Sequence, residues 1–360
     1  CRRGAAKREP CRFGVIRSNV PAAVHTVGLG PLVLGHDPVM LATLMTDSSP
    51  LPVVGIDLGG TSIKAALVSP RYQMLARNAV PTDLRSQAAL LDAIERLIQS
   101  VVGEQAVGGV GFGLPSQIDQ RNGRVLDSVN VPLEELDFKA EMKRRLGIPV
   151  EIDNDANVAC LAEVRIGAAR GARHVVMLTL GTGVGGGLVL DGQLYRGSIG
   201  AGAELGHMSI DENGPPCQGH CPGRGCLEVL VSATGVMAAA QRIADDHPSG
   251  TLAAVRAGGH DLDVRFVIGH AESGDAEARE VLAVVGRHLG VGIANYVNIF
   301  NPELVVIGGG ISSAGELLLG PARDEYQRRV LRAVGTARVV VAELGNDAGV
   351  LGAAALLFDG

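Results

Sequence analysis

Two strand–turn–strand units, one in each half of the chain, constrain the fold most strongly. The first spans residues 52–68 around a Gly-Gly-Thr turn at 59–61, and the second spans 174–190 around a Gly-Thr-Gly turn at 181–183. A glycine turn between apolar strands brings backbone N–H groups and a hydroxyl close to a bound anion. An ordinary hairpin explains either unit alone equally well. Together they predict an α/β protein that holds a nucleotide in a cleft between two similar domains.

Other nucleotide-binding motifs do not fit these units. Gly181, Gly183 and Gly186 match the spacing of a dinucleotide fingerprint, but a strand follows them where that motif needs a helix. The chain has no Gly-Lys pair, which excludes a Walker-type loop. In the first unit, Asp57 is suited to hold Mg²⁺ through water, and Lys64 is suited to face phosphate.

A strand-to-helix junction at residues 152–157 concentrates polar chemistry in a short stretch. A strand-like run at 148–152 leads into Asp153, Asn154 and Asp155, and a helix is predicted over 157–167. Folds of the α/β class carry their reactive groups at such junctions. We expect Asp155 to be a general base that takes a proton from a substrate hydroxyl. The alternative is that Asn154 or Asp155 only caps the helix.

A cysteine cluster predicts a metal site. Cys217, Cys221 and Cys226 are three of the six cysteines in the chain. Spacing this tight needs a metal or a disulfide, and with a histidine the three make a closed, tetrahedral zinc site of the structural type. His207 is the expected fourth ligand, and His220 inside the cluster is the alternative.

Further polar and glycine positions are expected beside the same cleft. Glu204 and Glu228 flank the cysteine cluster and are not needed as metal ligands, so they are suited to bind substrate hydroxyls. Asn130 lies on a loop, where asparagine most often serves a turn. Gly309 and Gly310 end a buried-type strand, and their backbone can lie against an adenine or ribose; a plain strand-to-helix turn is the alternative.

Composition limits the partners and the compartment. The net charge is −6, from 32 Lys+Arg and 38 Asp+Glu, which argues against a dedicated nucleic-acid surface. No apolar run reaches the roughly 20 residues of a membrane helix, so no membrane partner is expected. A chain of this size does not need disulfides, and a reducing cytoplasm is the simplest location.

The first 50 residues differ from the rest of the chain. They begin with Cys1, are rich in arginine, and show no helical period of useful length. We expect a disordered extension, with the native start at Met40 or Met45. Helices are expected over 86–102, 135–146 and most of 272–300, with an apolar helix at 348–358 closing the chain.

From residue 53 onward the chain resembles the ROK family, a family of bacterial sugar kinases and sugar-sensing regulators. The resemblance rests on motifs that agree in order and spacing: Asp57-Leu-Gly-Gly-Thr-Ser-Ile-Lys64, Gly113-Leu-Pro115, Asp153-Asn-Asp-Ala-Asn157, Leu180-Gly-Thr-Gly-Val-Gly185, Glu204-Leu-Gly-His207, Gly225-Cys-Leu-Glu228 and Val306-Ile-Gly-Gly-Gly310. It implies a two-domain actin/hexokinase-like (ribonuclease H-like) ATPase fold with an interdomain cleft. The small α/β domain would span 51–153, completed by a C-terminal helix at 346–360. The large α/β domain would span 154–345 and carry the zinc loop.

The resemblance also implies roles for individual residues. Asp155 would be the catalytic base, and His207 would both bind zinc and face the sugar. The remaining implied residues are a sugar-binding shell of Asn130, Asn154, Glu204, His207 and Glu228; phosphate contacts at Gly60, Thr61, Lys64, Thr182 and Gly183; and an adenosine site at Gly309 and Gly310.

Two positions depart from the family pattern. Gly219 stands where the first cysteine of the usual Cys-x-Cys-Gly-x-x-Gly-Cys loop is expected, and Cys217 lies two residues earlier. Cys217 is expected to replace that ligand through a wider loop. Ala203 precedes Glu204 where the family usually has glycine, and this is expected to tilt the Glu204 loop.

The expected function is therefore an ATP-dependent hexose kinase that uses Mg²⁺, carries structural Zn²⁺ and phosphorylates the 6-hydroxyl of glucose. N-acetylmannosamine and fructose are alternative substrates, and polyphosphate is an alternative donor. A non-catalytic, sugar-sensing regulator is the second class of function, although no N-terminal DNA-binding domain is apparent. The resemblance also implies a homo-oligomer, a dimer or tetramer.

Overall fold

The computed structural model describes residues 50–259 and 262–358. The disordered extension and the start sites predicted within residues 1–50 lie outside the described residues, apart from Pro50. No helix in the described part of the chain is long and apolar enough to cross a membrane.

Two five-stranded sheets organise the described chain, and they share one topology. In each sheet an antiparallel three-stranded meander continues into two parallel strands, in the orders β3-β2-β1-β4-β7 and β10-β9-β8-β11-β12. The first sheet contains β1 Val53–Leu58, β2 Ser62–Val68, β3 Met74–Pro81, β4 Val110–Leu114 and β7 Val150–Asn154. The second contains β8 Val175–Leu180, β9 Val184–Leu190, β10 Gln193–Leu194, β11 Leu304–Gly308 and β12 Arg338–Val341. A separate hairpin pairs β5 Ser116–Asp119 with β6 Arg124–Ser128.

The helices are α1 Gln87–Val102, α2 Phe138–Leu146, α3 Asp155–Ile166, α4 Leu227–Val231, α5 Ala233–Asp246, α6 Thr251–Ala257, α7 Val264–Glu272, α8 Ala276–Phe300, α9 Glu316–Arg329 and α10 Ala348–Phe358. Short 3₁₀ turns cover Leu205–His207, Gly310–Ala314 and Gly345–Asp347.

Most predicted elements are present, with shifted ends. The helix predicted at 135–146 starts at Phe138, because Glu135 has a left-handed φ of 50° and Asp137 is the N-cap. The helix predicted at 157–167 starts at Asp155, because the side chain of Asn154 caps it. The predicted closing helix at 348–358 coincides with α10.

Strand register brings the polar residues to one edge of each sheet. Asp57 faces Lys64 across the β1–β2 pair, and the parallel β4–β7 pair ends with Leu114 beside Asn154. In the second sheet, Gly308 lies beside Thr179 where β8 and β11 end. Carboxyl ends of parallel strands share one edge, so both sheets present their chain reversals and polar groups to the same kind of crevice.

The last helix, α10, covers the first sheet at unusually close range. A Cβ on Gly55 would lie 1.9 Å from the carbonyl oxygen of Val350, and one on Gly111 would lie 1.8 Å from that of Ala353. Only glycine fits at these strand positions, because the backbone of the helix rests directly on the backbone of the sheet. Residues of α10 therefore cover one face of the sheet that begins at Val53.

A buried carboxylate joins α3 to the segment before α10. Glu163 is 0% exposed. Its Oε2 accepts hydrogen bonds from the N–H groups of Ala168 at 2.7 Å and Glu343 at 3.2 Å, and its Oε1 accepts one from Leu344 at 2.8 Å. Three N–H donors compensate a buried carboxylate that would otherwise be costly. Glu163 thus fixes the chain that enters α10 relative to the helix that carries Asp155.

Candidate active site

A cavity of about 460 Å³, here the central cavity, lies at the facing strand ends of the two sheets. The first sheet contributes Asp57 and Lys64, and α3 contributes Asp155. The second sheet contributes Thr179, together with the Gly308–Gly310 segment that follows β11. The structure therefore brings predicted residues from three separate stretches of sequence to one cavity, and adds Thr179, which was not predicted.

Asp57 and Lys64 form an ion pair within the central cavity. The Lys64 ammonium lies 3.0 Å from Asp57 Oδ2 and 3.4 Å from the carbonyl oxygen of Asn346. A Cβ on Gly349 would lie 2.5 Å from the Asp57 carboxyl carbon, so the start of α10 packs against this acid. The acid predicted to hold Mg²⁺ and the lysine predicted to face phosphate are therefore adjacent.

Asp155 is the first residue of α3, and the residue that caps the N-terminus of this helix is Asn154. The Asn154 side chain accepts hydrogen bonds from the N–H groups of Ala156 at 2.9 Å and Asn157 at 3.3 Å. Burial, followed by the nearby charge of Asp57, raises the pKa of Asp155 to about 7. The capping alternative thus applies to Asn154, while the Asp155 carboxyl lines the cavity with an unusually high pKa.

Asp153 holds this strand-to-helix junction through hydrogen bonds, a role that the sequence did not predict. It is 0% exposed, and Arg196 Nε donates to its Oδ2 at 2.6 Å. Its Oδ1 accepts from Asn157 Nδ2 at 2.9 Å and from the N–H of Asn154 at 2.8 Å. Because Arg196 lies on the loop that leads to Glu204, the ion pair links that loop to the strand that carries Asn154.

The second glycine turn is held by groups from outside its own sheet. Glu228, 8% exposed, accepts a hydrogen bond from the N–H of Val184 at 2.9 Å. A Cβ on Gly183 would lie 2.5 Å from the same Glu228 oxygen, so a larger residue there would displace the Glu228 carboxylate. Gly181 accepts a hydrogen bond from the N–H of Ala233 at 2.9 Å, which joins the turn to the start of α5.

The predicted metal ligands converge. One donor atom each from His207, Cys217, Cys221 and Cys226 lie within 4.8 Å of one another. The sulfurs of Cys221 and Cys226 are 3.9 Å apart, and His207 Nδ1 is 3.5 Å from the Cys217 sulfur. Zinc–sulfur bonds of about 2.3 Å in a tetrahedron separate the sulfurs by a little under 4 Å, so the donor set fits Zn²⁺. We call the segment 217–226, which carries the three cysteines, together with His207 the metal loop.

His220, the alternative ligand, has a different partner. Its Nδ1 lies 3.0 Å from Asp127 Oδ2 on β6, and the Asp127 carboxylate raises the pKa of His220. Among the two histidines considered, the described chain therefore brings His207, and not His220, to the three cysteines.

The predicted sugar-binding residues are divided between adjoining cavities. Asn130, His207 and Glu228 line a cavity of about 510 Å³ beside the metal loop, here the metal-loop cavity. Asn154 and Glu204 line a small cavity of about 30 Å³ next to it. Burial is the largest cause of a raised Glu204 pKa, with the Glu228 charge acting in the same direction and His207 opposing it. These groups are close enough to interact, although they do not surround one common space.

The predicted phosphate contacts other than Lys64 lie in the two glycine turns, and the predicted adenosine positions come directly after β11. Gly60 in the first turn lies against Asn130, since a Cβ there would be 3.2 Å from Asn130 Cβ. Thr61 accepts a hydrogen bond from the N–H of Thr82 at 3.1 Å. Thr182 and Gly183 line the metal-loop cavity.

Gly310 lies where two cavities meet. It lines the central cavity and also a lateral cavity of about 470 Å³, which Gly181, Arg265 and Ile268 help to form. Gly309 has a φ of 84°, and a Cβ there would lie 2.3 Å from the Leu180 carbonyl oxygen. The second turn thus separates the lateral cavity, which Gly181 lines, from the metal-loop cavity.

Comparisons with known proteins agree on one family. A family model described as the ROK family matches residues 53–359. The chain is 39% identical to a glucokinase of Thermotoga maritima over 313 residues, which are 85% of this chain and 97% of that protein. It is 27% identical over 364 residues to a xylose repressor of Bacillus subtilis, covering 96% of this chain and 88% of that protein.

A solved structure extends the agreement to the fold. The crystal structure of a ROK family glucokinase from Streptomyces griseus in complex with glucose and AMPPNP is 31% identical, with a TM-score of 0.75 over 86% of this chain and 100% of that chain. The two-domain, actin/hexokinase-like α/β fold predicted from the sequence is therefore confirmed. The chain belongs to the ROK family, and within that family it is glucokinase-like.

Proposed function

We propose that the chain is an ATP-dependent hexose kinase that phosphorylates the 6-hydroxyl of glucose, with Asp155 as the general base. The observation that carries the proposal is a carboxyl group with a pKa raised to about 7, in one cavity with Asp57 and Lys64. A base is most effective when its pKa lies near the working pH, because it is then both available and strong. The likeness to a glucokinase that binds glucose and AMPPNP supports glucose and ATP.

The donor side relies on positioning and charge. Phosphoryl transfer asks a protein mainly to orient the reactants and to neutralise negative charge. Lys64 supplies a cation, and the turn residues Gly60, Thr61, Thr182 and Gly183 supply backbone N–H and hydroxyl groups to the phosphates. Gly309 and Gly310 border the adenosine, with the lateral cavity as the space for the base.

The acceptor side is the proposed sugar shell of Asn130, Asn154, Glu204, His207 and Glu228. In this proposal the hexose lies against the metal-loop cavity and presents its 6-hydroxyl to Asp155. Asp155 accepts the hydroxyl proton as the sugar oxygen bonds to the γ-phosphorus and the bond to the departing ADP breaks. Closure of the two domains would exclude water, which would otherwise compete as the acceptor.

Two metals fit this arrangement. Asp57 has a carboxylate on the central cavity and is the residue that would hold Mg²⁺, which when bound neutralises phosphate charge. His207, Cys217, Cys221 and Cys226 would hold a structural Zn²⁺. His207 and the Glu228 carboxylate, 4.0 Å apart, would then be fixed by the metal loop beside the sugar.

A second candidate function is a sugar-sensing regulator, because the chain is also similar to a xylose repressor of Bacillus subtilis. Asp155 and Lys64 in one cavity favour the kinase, since a sensor needs neither a base nor a phosphate-binding cation. N-acetylmannosamine and fructose remain alternative substrates, polyphosphate remains an alternative donor, and a dimer or tetramer remains the predicted assembly.

The first test is phosphoryl transfer from ATP-Mg²⁺ to glucose, fructose, mannose, N-acetylglucosamine and N-acetylmannosamine, with each product identified by NMR. We expect glucose 6-phosphate as the main product. Transfer to a different sugar would correct the substrate. Binding of a sugar without transfer to any of them would favour the sensor.

The second test is Asp155→Asn, with Asp191→Asn as the control. Asp191 has an exposed side chain on the β9–β10 turn, far along the strand from the cavity. We expect Asp155→Asn to lower kcat by about 10²–10⁴-fold, the usual contribution of a general base. Glucose binding measured by calorimetry should persist in both variants. Full turnover by Asp155→Asn would exclude Asp155 as the base.

A further inference from the structure

Gln218 lies between the first two cysteines of the metal loop and joins two other elements. Its Nε2 donates to the carbonyl oxygen of Thr182 at 3.0 Å, and its Oε1 accepts from the Thr234 hydroxyl at 2.9 Å. Thr182 belongs to the second glycine turn, and Thr234 lies in the first turn of α5. Since both ends of the carboxamide are engaged, the side chain is held in one orientation.

The bond to Thr182 acts on a specific peptide plane. The Thr182 carbonyl and the Gly183 N–H belong to the same rigid, trans peptide unit, so they point in opposite directions. Fixing the carbonyl therefore fixes the direction of the Gly183 N–H. Among the described residues, the N–H groups of Thr182 and Gly183 have no hydrogen-bond acceptor of their own. They are available to an anion, as the sequence of the turn predicts.

Within residues 50–259 and 262–358, the other contacts to the turn give this peptide plane no second hydrogen bond. Glu228 holds the N–H of Val184, and the N–H of Ala233 holds the carbonyl of Gly181. A further bond closes the turn, from the N–H of Gly181 to the carbonyl of Gly183. Gln218 is the side chain that holds the plane between Thr182 and Gly183. It lies in the widened spacing from Cys217 to Cys221, the position where this chain departs from the usual ROK loop.

We propose that Gln218 is a positioning residue for the phosphoryl donor, and that through it the metal loop orients the phosphate-binding turn. The inference rests on the proposed kinase function. It adds that the metal loop acts on the nucleotide as well as on the sugar. The step from the metal loop to the donor is a single side chain, so it can be removed without touching a metal ligand.

The test uses the full-length, zinc-loaded protein and the variant Gln218→Met, which keeps the length of the side chain and removes both hydrogen bonds. We expect the Kd for Mg²⁺–ADP, measured by calorimetry, and the KM for ATP to rise about three- to ten-fold, the range for losing one or two net hydrogen bonds. The KM for glucose should change by less than about two-fold, since the sugar contacts remain.

Thr234→Val provides the discriminating comparison, because the side-chain hydrogen bond of Thr234 in the described structure goes to Gln218 and not to the turn itself. We expect a smaller rise in the Kd for Mg²⁺–ADP, and no additional rise when it is combined with Gln218→Met. Gln241→Ala is the matched control: it removes an exposed glutamine side chain on the same helix, whose partner is Asp245. All constants should stay at wild-type values in that control.

Three results would overturn the inference. An unchanged Kd for Mg²⁺–ADP in Gln218→Met excludes it, and so does a simple sum of the Gln218 and Thr234 effects. A parallel rise in the glucose and ATP constants with a lower Tm would mean that Gln218 only stabilises the loop. If the wild type phosphorylates no sugar while Mg²⁺–ADP binding still depends on Gln218, the kinase proposal fails and the role of Gln218 stands.

Discussion

The two glycine turns occupy equivalent places in two sheets of the same topology, but they are supported in different ways. The first turn is closed by bonds within its own sheet, from the N–H of Gly59 to Ser62 at 3.0 Å and from the Thr82 hydroxyl to Gly59 at 2.6 Å. Beside it lies the Asp57–Lys64 ion pair, whose lysine side chain is 36% exposed. The second turn has one closing bond of its own, from the N–H of Gly181 to Gly183 at 2.9 Å, and is otherwise held from outside by Glu228, Gln218 and Ala233.

This difference indicates that the shapes of the two turns depend on different parts of the molecule. A turn closed by its own strands keeps its shape whenever the sheet is folded. A turn that is also held by the metal loop, α4 and the start of α5 is expected to loosen when those elements move. Equivalent topology therefore does not give equivalent stability, and each turn should respond to a different perturbation.

Metal removal should separate the two turns most strongly. Structural zinc contributes about 10–16 kcal/mol to folding in small peptides. After chelation we expect hydrogen exchange to accelerate at the metal loop and at the hydrogen-bonded N–H groups of Gly181 and Val184, while the Gly59 N–H of the first turn stays protected, and kinase activity should be lost. Chelator already saturated with zinc is the control. Equal acceleration in both turns, or in neither, would contradict the comparison.

Lys64→Met should act on the first turn alone. Loss of a preorganised cation beside developing negative charge lowers kcat by about 10²-fold, and the exchange protection of the Gly181 and Val184 N–H groups should not change. Lys143→Met removes an exposed lysine from α2 and should leave both measurements at wild-type values. A variant at Lys64 that keeps full turnover would exclude its role at the phosphates.

The pH dependence of kcat/KM should also distinguish the turns, because a charged residue, Asp57, lies beside the first turn and an uncharged one, Thr182, lies in the second. Burial and then Asp57 raise the pKa of Asp155 to about 7, so the base form is lost as pH falls below that value. We expect kcat/KM to fall about ten-fold per pH unit below the inflection. Asp57→Asn should move the inflection to lower pH, and Thr182→Val should leave it unchanged.

The same raised pKa predicts the sign of a stability effect. A carboxyl whose pKa is higher in the folded protein binds its proton more tightly there, so its ionisation costs folding free energy as pH rises from about 4 to about 7. Above pH 7 the neutral Asp155→Asn variant should therefore have a higher Tm than the wild type. An inflection near pH 4 in the wild type would contradict both expectations.

The smallest expected effect concerns the loop that follows the second hairpin. Ala203 has a left-handed φ of 64°, next to Glu204, where the family pattern has glycine. Ala203→Gly relieves the backbone strain but increases the freedom of the unfolded chain, so we expect a gain of less than about 1 kcal/mol in the free energy of unfolding. Ala172→Gly, at a position without a positive φ, should lower it. Chemical denaturation measures both.

The sequence was sufficient to predict those elements that depend on neighbouring residues. Glycine turns, apolar strands and the closing helix are patterns of a few neighbouring residues, and the structure contains them; the closing helix keeps its predicted ends, and the starts of α2 and α3 are shifted by three and two positions. His207 was expected over His220 as the fourth donor beside the three cysteines, and the family motifs implied the same choice. The structure brings these four donors together.

Contacts between distant residues were not predictable in the same way. Arg196 pairs with Asp153, and Glu163 accepts from Glu343 and Leu344, but nothing in the residues near either carboxylate indicates these partners. The division of the proposed sugar-binding residues among adjoining cavities was missed for the same reason, since a motif gives the identity of a residue and not the space that it faces.

The helix that covers the first sheet lies far from it in sequence. The glycine-rich face of β1 and β4 has no cover until α10 packs on it, although those strands precede α10 by more than 200 residues. Contacts between elements so distant in sequence raise the contact order, and a high contact order slows folding because a long loop must close before the contacts form. We therefore expect the first sheet to become stable only together with α10, and not in the order in which its strands follow one another along the chain.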